Sequence, residues 1–302
     1  MLEPLTPMLA HTYDPHKHIL PKNVVVQPKL DGVRCLIHIV DGRVNNVISR
    51  SGKPVYLGNE IPQHLNELFP ERANLWLDGE LYVHGEAFQD IQRAASIQDN
   101  TPPDKDILRY CIYDCYLWRN AEATFSSRQK IMHGLVNMTG FRLSMEKWLL
   151  GTKLTMVLGF RMKREDVECE IEEQISYKKQ IEEVMEQAIS QGYEGIMIRD
   201  ADSTYKHGRS RGLLKYKRFH DEEYIIVAVK EGAGKNKGTA VLVCCLNGAS
   251  TSTFNVTAPG TYADKAHAWA NRTALIGQQV TVKYQEKTKA GIPRFPVAKS
   301  FV

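Results

Sequence analysis

Charged side chains recur in this sequence inside runs that otherwise read as buried strand. In "VVVQPKLDGVRCLIHIV", from Val24 to Val40, Lys29 closes one β-branched run, Asp31-Gly32 breaks it, and Arg34 lies in the next. The pattern K-x-D-G-x-R alone also fits a surface turn with flanking charges. Four further segments repeat the oddity: Arg50 in "SRSGKP", Glu80 in "LDGELYV", Glu194 in "YEGIMIRD", and Lys215 with Lys217 in "LLKYKR". Residues two apart on a strand point to one face, so Lys215 and Lys217 aim two ammonium groups the same way. Unpaired buried charge is costly, so such cations need an anion. A structural salt-bridge network would supply it, and so would a bound triphosphate.

Two other candidates are weaker. "EGAGKNKGTA" over 231–240 has the glycines and lysine of a phosphate loop, but that signature needs Ser or Thr directly after Gly-Lys. Here Asn236 follows Lys235, and the segment joins two strands instead of opening a helix. It reads as a basic hairpin tip, either solvated or touching a phosphate backbone. His11, His16 and His18 lack suitably spaced carboxylate or cysteine partners and read as surface histidines.

The elements that must position these residues follow from periodicity and punctuation. Strands are expected over 24–30 and 34–40, with Asp41-Gly42 as a two-residue hairpin turn into "RVNNVIS". A helix over 61–69 ends at Pro70, a strand covers 75–83, a helix 86–96, and an aromatic-rich strand 107–118. Helices over 126–137 and 172–191 precede short strands at 195–199 and 213–217. After Lys217 the character changes. "EYIIVAV", "TAVLVCCLN", "STFNVTA", "QQVTVKYQE" and a tail through Phe295 read as five strands, with "YADKAHAWANRTAL" as one helix among them. Five short strands and a helix in about eighty residues suggest an OB-type barrel. The expected class is α+β, with domains over 1–219 and 220–302 and the hinge at "KRFHDEE".

Composition agrees with two domains. The chain has 302 residues, 43% hydrophobic and 25% charged, as an ordinary globular protein does. No apolar stretch approaches the roughly 20 residues needed to span a bilayer, and "MLEPLTPMLAHTYDPHK" has neither the basic start nor the apolar core of a signal peptide. The six cysteines show no C-x-x-C spacing, which points away from a disulfide or zinc framework and toward a reduced, cytoplasmic setting. The net charge is +4. Residues 220–302 hold ten Lys/Arg against six Asp/Glu, which leaves 29 of each elsewhere. The whole excess therefore lies in the last quarter, through chance asymmetry or through a polyanionic partner.

Taken in order, the charged segments resemble the nucleotidyl transferase motifs of ATP-dependent DNA ligases, above all the minimal ligases of phages and large viruses. Arg294-Phe295-Pro296-Val297, after the basic loop of "QEKTKAGIPRFPVAKSFV", is similar to the last motif of those enzymes, and "RFHDEE" to their hinge. The resemblance runs from Pro28 to Lys299. It implies a nucleotidyltransferase (adenylation) domain of antiparallel sheets with flanking helices, followed by an OB-fold domain.

The resemblance also implies roles. Lys29 would attack the α-phosphate of ATP and carry AMP. An ammonium has no lone pair, and apolar flanks with Arg34, Lys215 and Lys217 nearby favour the neutral amine. The same cations would stabilise charge on the phosphate. Glu80 and Glu194 would hold ribose hydroxyls or Mg2+ (or Mn2+), Tyr113 in "CIYDC" would stack on adenine, and Gln27 would read the adenine amino group. Arg50 would bind the 5′-phosphate at a nick, and Arg294 would reach the leaving group. The partner implied is nicked duplex DNA, with no membrane and a monomeric protein. Two departures stand out. The family's Gly-Ile-Arg after Arg-Phe-Pro is replaced by "AKSFV", where Lys299 could supply the charge, and "KEGAGKNKGTA" leaves no room for a DNA-wrapping insertion. Nick binding should accordingly be weaker and more salt-sensitive. RNA ligases and mRNA-capping guanylyltransferases share the lysine motif, but Gln27 and the Arg-Phe-Pro-Val tail favour a DNA ligase. A non-catalytic OB-fold protein would have no reason to keep Lys29, Glu80, Lys215 and Lys217 in this order.

Overall fold

The computed structural model describes residues 5–96, 107–138, 154–157, 160–163, 170–246, 249–288 and 290–302. By its internal contacts the chain divides into Met1–Tyr216 and Lys217–Val302. The first unit runs β1 (Met8–Thr12), β2 (Asn23–Lys29), β3 (Val33–Val40), β4 (Arg43–Ser49), α1 (Glu60–Leu68), β5 (Leu75–Tyr82), α2 (Phe88–Ala95), β6 (Arg109–Tyr116), α3 (Phe125–Met138), β7 (Leu154–Met156), β8 (Phe160–Lys163), α4 (Glu170–Ser190), β9 (Gly195–Asp200) and β10 (Gly208–Lys217). These strands form two sheets, ordered β1-β10-β9-β2-β8 and β4-β3-β5-β6-β7. The hairpin between β3 and β4 turns at Asp41 and Gly42, both with positive φ (48° and 74°), as a turn matching the strand twist requires.

Period-two alternation divides each central strand between two environments. Cys35, Ile37 and Ile39 of β3 join Leu75 and Leu77 of β5 in a core covered by α1 and α2. Each fully buried Leu or Ile of this kind contributes about 2 kcal/mol. In the other sheet, Val24 and Val26 of β2 and Ile196 and Ile198 of β9 pack on Ile181 and Met185 of α4. The remaining faces meet each other: Leu36 and Trp76 from one sheet share a cluster with Met8 and Leu213 from the other. By the same alternation Gln27, Lys29, Arg199 and Lys215 fall on one inner face. Arg34, Asp78 and Glu80 fall on the other. These side chains therefore line the space between two sheets.

The second unit holds β11 (His220–Glu231), β12 (Ala240–Leu246), β13 (Ala249–Thr257), α5 (Tyr262–Ala270), α6 (Arg272–Leu275), β14 (Gln279–Tyr284) and β15 (Val297–Phe301). The sheet order is β13-β12-β11-β14-β15, antiparallel throughout. Its edge strands β13 and β15 also touch, giving a barrel-like closure. Ile226, Leu242, Val256, Val280 and Val282 fill the interior, with Ala268 and Leu275 against them. A capping box opens α5: Thr261 Oγ1 accepts from Asp264 N at 3.3 Å, and Thr261 N donates to Asp264 Oδ2 at 2.7 Å.

The α+β class and the five-stranded C-terminal barrel match expectation, with three local differences. The helix expected over 262–275 breaks at Asn271, whose side-chain amide caps it by donating to His267 O at 3.0 Å. The last strand lies after Phe295, because that residue has φ 51° and closes a hairpin instead of extending one. Strands β1, β7 and β8 were not expected, and β10 starts at Gly208, well before "LLKYK". The "GRS" start of β10 has no apolar alternation and is strand because β1 pairs beside it in parallel. Among the described residues, no helix is long and apolar enough to cross a membrane.

Candidate active site

Lys29 is the last residue of β2 and sits opposite Gly195 in the antiparallel register with β9. Glu194 N donates to Lys29 O at 3.1 Å, so the main chain delivers the Glu194 side chain to the lysine. The Lys29 ammonium is ion-paired with Glu194 and also donates to Leu30 O at 3.3 Å. The Glu194 side chain is 3% exposed and that of Lys29 21%, so the amine keeps an opening that the carboxylate lacks. Next in the chain, Asp31-Gly32 turns directly over β5. A Cβ on Gly32 would lie 2.3 Å from Leu81 O and 2.8 Å from Glu80 Cγ, so only glycine fits there.

Arg34 stands opposite Glu80 in the β3–β5 register. Its guanidinium grips Asp78 as a fork, Nε to Oδ1 at 2.9 Å and Nη2 to Oδ2 at 2.5 Å, and Tyr205 Oη donates to the same carboxylate at 2.6 Å. Burial works to lower the Arg34 pKa, but Asp78 holds it well above its ordinary value. Glu80 has no such fork. Burial pushes its carboxyl up to about 7, against the pull of Lys29 and Arg34, while Glu194 and Asp78 add to the rise. Tyr113 Oη donates to Glu80 Oε2 at 3.5 Å. The Lys215 pKa is lowered by burial first, then by Lys29, Arg209 and Arg50, with Glu194 opposing. Lys29, Arg34, Glu80, Glu194 and Lys215 thus share one electrostatic neighbourhood, with exposed Arg50 at its margin.

Behind this cluster lies a buried polar chain. Gln27 is 1% exposed; its Nε2 donates to Val157 O at 2.7 Å and Tyr113 O at 3.3 Å, and its Oε1 accepts from Arg199 Nε at 2.6 Å. Arg199 Nη1 donates to Asp114 Oδ2 at 2.8 Å, and Arg128 reaches the same carboxylate through Nε at 2.7 Å and Nη2 at 3.0 Å. The guanidinium carbons of Arg34 and Arg199 lie 5.8 and 5.5 Å from the Tyr113 ring centroid, within cation–π range. Asp78, Asp114 and Arg199 are missing from the sequence-derived set. Each shows the signal used for the others, charge inside an apolar strand run. Arg128 and Tyr205 carry no such mark, since one lies in α3 and the other in a loop.

Lys217, the last residue of β10, and Arg294 fall on the second unit's side of the division. Lys217 Nζ donates to Gln285 Oε1 at 2.8 Å. Arg294 closes a hairpin over 285–294, is ion-paired with Glu286, and has its guanidinium carbon 5.4 Å from the Phe295 centroid. Lys299 pairs with Asp221 at 2.7 Å. The 231–240 tip is a single 3-10 turn over Gly234–Asn236, with no helix behind it to act as a phosphate loop. No grouping of three or more His, Cys, Asp or Glu able to hold a metal occurs among the described residues. Among the described residues, Glu194 at the lysine and Glu80 in its electrostatic neighbourhood are hard-oxygen donors.

Two facing sheets with a lysine between them, joined to a small five-stranded barrel, make the fold of a nucleotidyl transferase. The chain belongs to the ATP dependent DNA ligase domain family, whose model matches residues 7–217, while a DNA ligase OB-like domain matches 231–301. The DNA ligase of African swine fever virus (isolate Warthog/Namibia/Wart80/1980) is 29% identical over 311 residues, covering 96% of this chain and 66% of the viral protein. The chain thus spans just under two thirds of the length of that relative. The DNA ligase of Methanobrevibacter smithii is 24% identical across 77% of this chain and 40% of its own length. Among solved structures, a Lig E DNA ligase superposes with a TM-score of 0.74 at 23% identity, covering 100% of both chains. The structure designated Pmar-Lig superposes with a TM-score of 0.81 at 24% identity, covering 98% of this chain and 67% of its own. These structures share the fold.

Proposed function

We propose that the protein is an ATP-dependent DNA ligase that seals nicks in duplex DNA through AMP carried on Lys29. The observation that carries this reading is the placement of Lys29. Its amine ends a strand between two sheets beside buried Glu194, and shares its surroundings with Glu80, Arg34 and Lys215. Attack requires the amine to leave Glu194 and lose a proton. Its nitrogen then bonds to the α-phosphorus of ATP as the bond to pyrophosphate breaks. AMP next passes from Lys29 to the 5′-phosphate at a nick, and the adjoining 3′-hydroxyl displaces it to form the phosphodiester. Three in-line displacements at one site call for positioning and fixed charge more than for acid–base catalysis.

The side chains divide this work. Lys215 and Lys217, two apart on β10, would take the α-phosphate, with Arg34 held ready by Asp78. Tyr113 would offer its ring to adenine. Gln27 has one remaining acceptor site on Oε1 for the adenine amino group, since Arg199, Val157 and Tyr113 use the others. Glu80 would hold the ribose hydroxyls or a metal, Arg50 the 5′-phosphate, and Arg294 the pyrophosphate. One or two carboxylates suit Mg2+ or Mn2+, which fill their remaining positions with phosphate oxygens and water, so Glu80 and Glu194 fit as ligands. Such an ion would neutralise charge on the phosphates. We assign the protein to a reducing, cytoplasmic compartment as a monomer; the five described cysteines are buried.

The test is incubation with labelled ATP or GTP and magnesium, then with nicked DNA or RNA. AMP should appear on Lys29 and move to nicked DNA, and Lys29→Ala should abolish both. Labelling by GTP alone, or nick sealing by the Lys29→Ala protein, would overturn the proposal.

A further inference from the structure

Glu222, in β11, is bound by three donors. Its Oε2 accepts from Tyr224 Oη at 2.7 Å, Tyr284 Oη at 2.8 Å and Lys287 Nζ at 2.7 Å. The Lys287 ammonium lies 5.9 and 5.5 Å from the Tyr224 and Tyr284 ring centroids. Lys287 belongs to the hairpin that carries Arg294. Arg294 N donates to Glu286 O at 2.8 Å, Gln285 N to Arg294 O at 3.3 Å, and Lys287 bridges to Pro293. Side chains alternate along this arm, so Glu286 engages Arg294 while Lys287 reaches the opposite way, to the β-sheet. The Lys287 hydrogen bond, helped by the two phenols, holds the Glu222 carboxyl down to about 2, and it stays ionised at any working pH.

An isolated ion pair this exposed would contribute little, but a carboxylate shared by three donors is a network that fixes geometry. We propose that Glu222 is a positioning residue that, through Lys287, clamps the hairpin presenting Arg294 for the transfer of AMP to Lys29. The inference rests on the role proposed above for Arg294. In this role Glu222 would act by restricting where Arg294 can go, not on the reacting atoms.

The experiment measures, on the full chain, single-turnover AMP transfer to Lys29 and, separately, closure of a nick that already carries AMP. The proteins are wild type, Arg294→Ala, Glu222→Gln, Lys287→Met and the Glu222→Gln/Lys287→Met double variant. Losing the clamp should slow the first step by about tenfold in either single variant. The double variant should be no slower than the slower single, because both changes cut one link. Closure of the AMP-bearing nick should stay at the wild-type rate. Lys287→Met changes a surface side chain, so it reports even if Glu222→Gln folds poorly. Normal AMP transfer in both single variants, with the step lost in Arg294→Ala, would overturn the clamp. Equal slowing of both steps would overturn it too, by showing a general structural effect. An unchanged rate in Arg294→Ala would instead refute the role given to Arg294.

Discussion

Asp114→Asn should lower the melting temperature of the first unit by roughly 10 °C, a figure that follows from the donors around this carboxylate. Asp114 is 0% exposed and accepts from Arg128 Nε, Arg128 Nη2, Arg199 Nη1 and its neighbour Cys115 N, all between 2.7 and 3.0 Å. Asparagine keeps the shape but removes the charge, and its NH2 group would face guanidinium N–H donors. Two buried cations would then lack the anion they share. Removing one partner of a buried ion pair costs about 3–5 kcal/mol, a large part of the 5–15 kcal/mol typical of a whole domain. For a unit of this size each kcal/mol moves the midpoint by about 2–4 °C. Thermal and urea melts followed by circular dichroism would measure the loss. Adding Arg128→Met takes away one of the two surplus cations, so the double variant should recover part of what Asp114→Asn loses. Strict additivity, or a single-variant midpoint within about 2 °C of wild type, would refute the claim that charge balance holds this chain together.

Two further outcomes follow from the lysine cluster. Glu80 holds its proton up to about pH 7, whereas an unfolded glutamate releases it near 4.5, so the folded state binds the extra proton between those values. Stability should therefore fall as pH rises through that window, by about 3 kcal/mol in total, and Glu80→Gln should flatten the profile and exceed wild type at pH 8 in urea titrations. Gly32→Ala would force its Cβ into Leu81 O and Glu80, so a loss of about 1–3 kcal/mol is expected, together with slowed AMP labelling of Lys29. A variant as stable and active as wild type would show that the Asp31-Gly32 turn does not rest on Glu80.

Local chemistry explains why so much of the frame was legible. Alternation in "RCLIHIV" and "LWLDGELY" marks strands because one face must be apolar, and Asp41-Gly42 marks a hairpin because both residues adopt positive φ. The segments that escaped the reading owe their state to partners far away in sequence. β1 and the "GRS" start of β10 are strands because they pair in parallel, Met8–Ala10 with Gly208–Ser210, and neither has an apolar period to announce it. Phe295 looked like strand, yet its hairpin needs the left-handed conformation there.

The candidate site divides in the same way. The sequence by itself determined which residues could do chemistry, since charge placed in an apolar run costs free energy unless it is paired or used; Lys29, Arg34, Glu80, Glu194 and Lys215 stand out on that ground alone. It could not say which of those charges answer one another. Arg34 is gripped by Asp78, and the amide of Gln27 is largely consumed by Arg199, Val157 and Tyr113, residues 86 to 172 positions away. Only the tertiary structure decided those pairings, because hydrogen bonds and ion pairs act over a few ångströms and depend on how two sheets face each other.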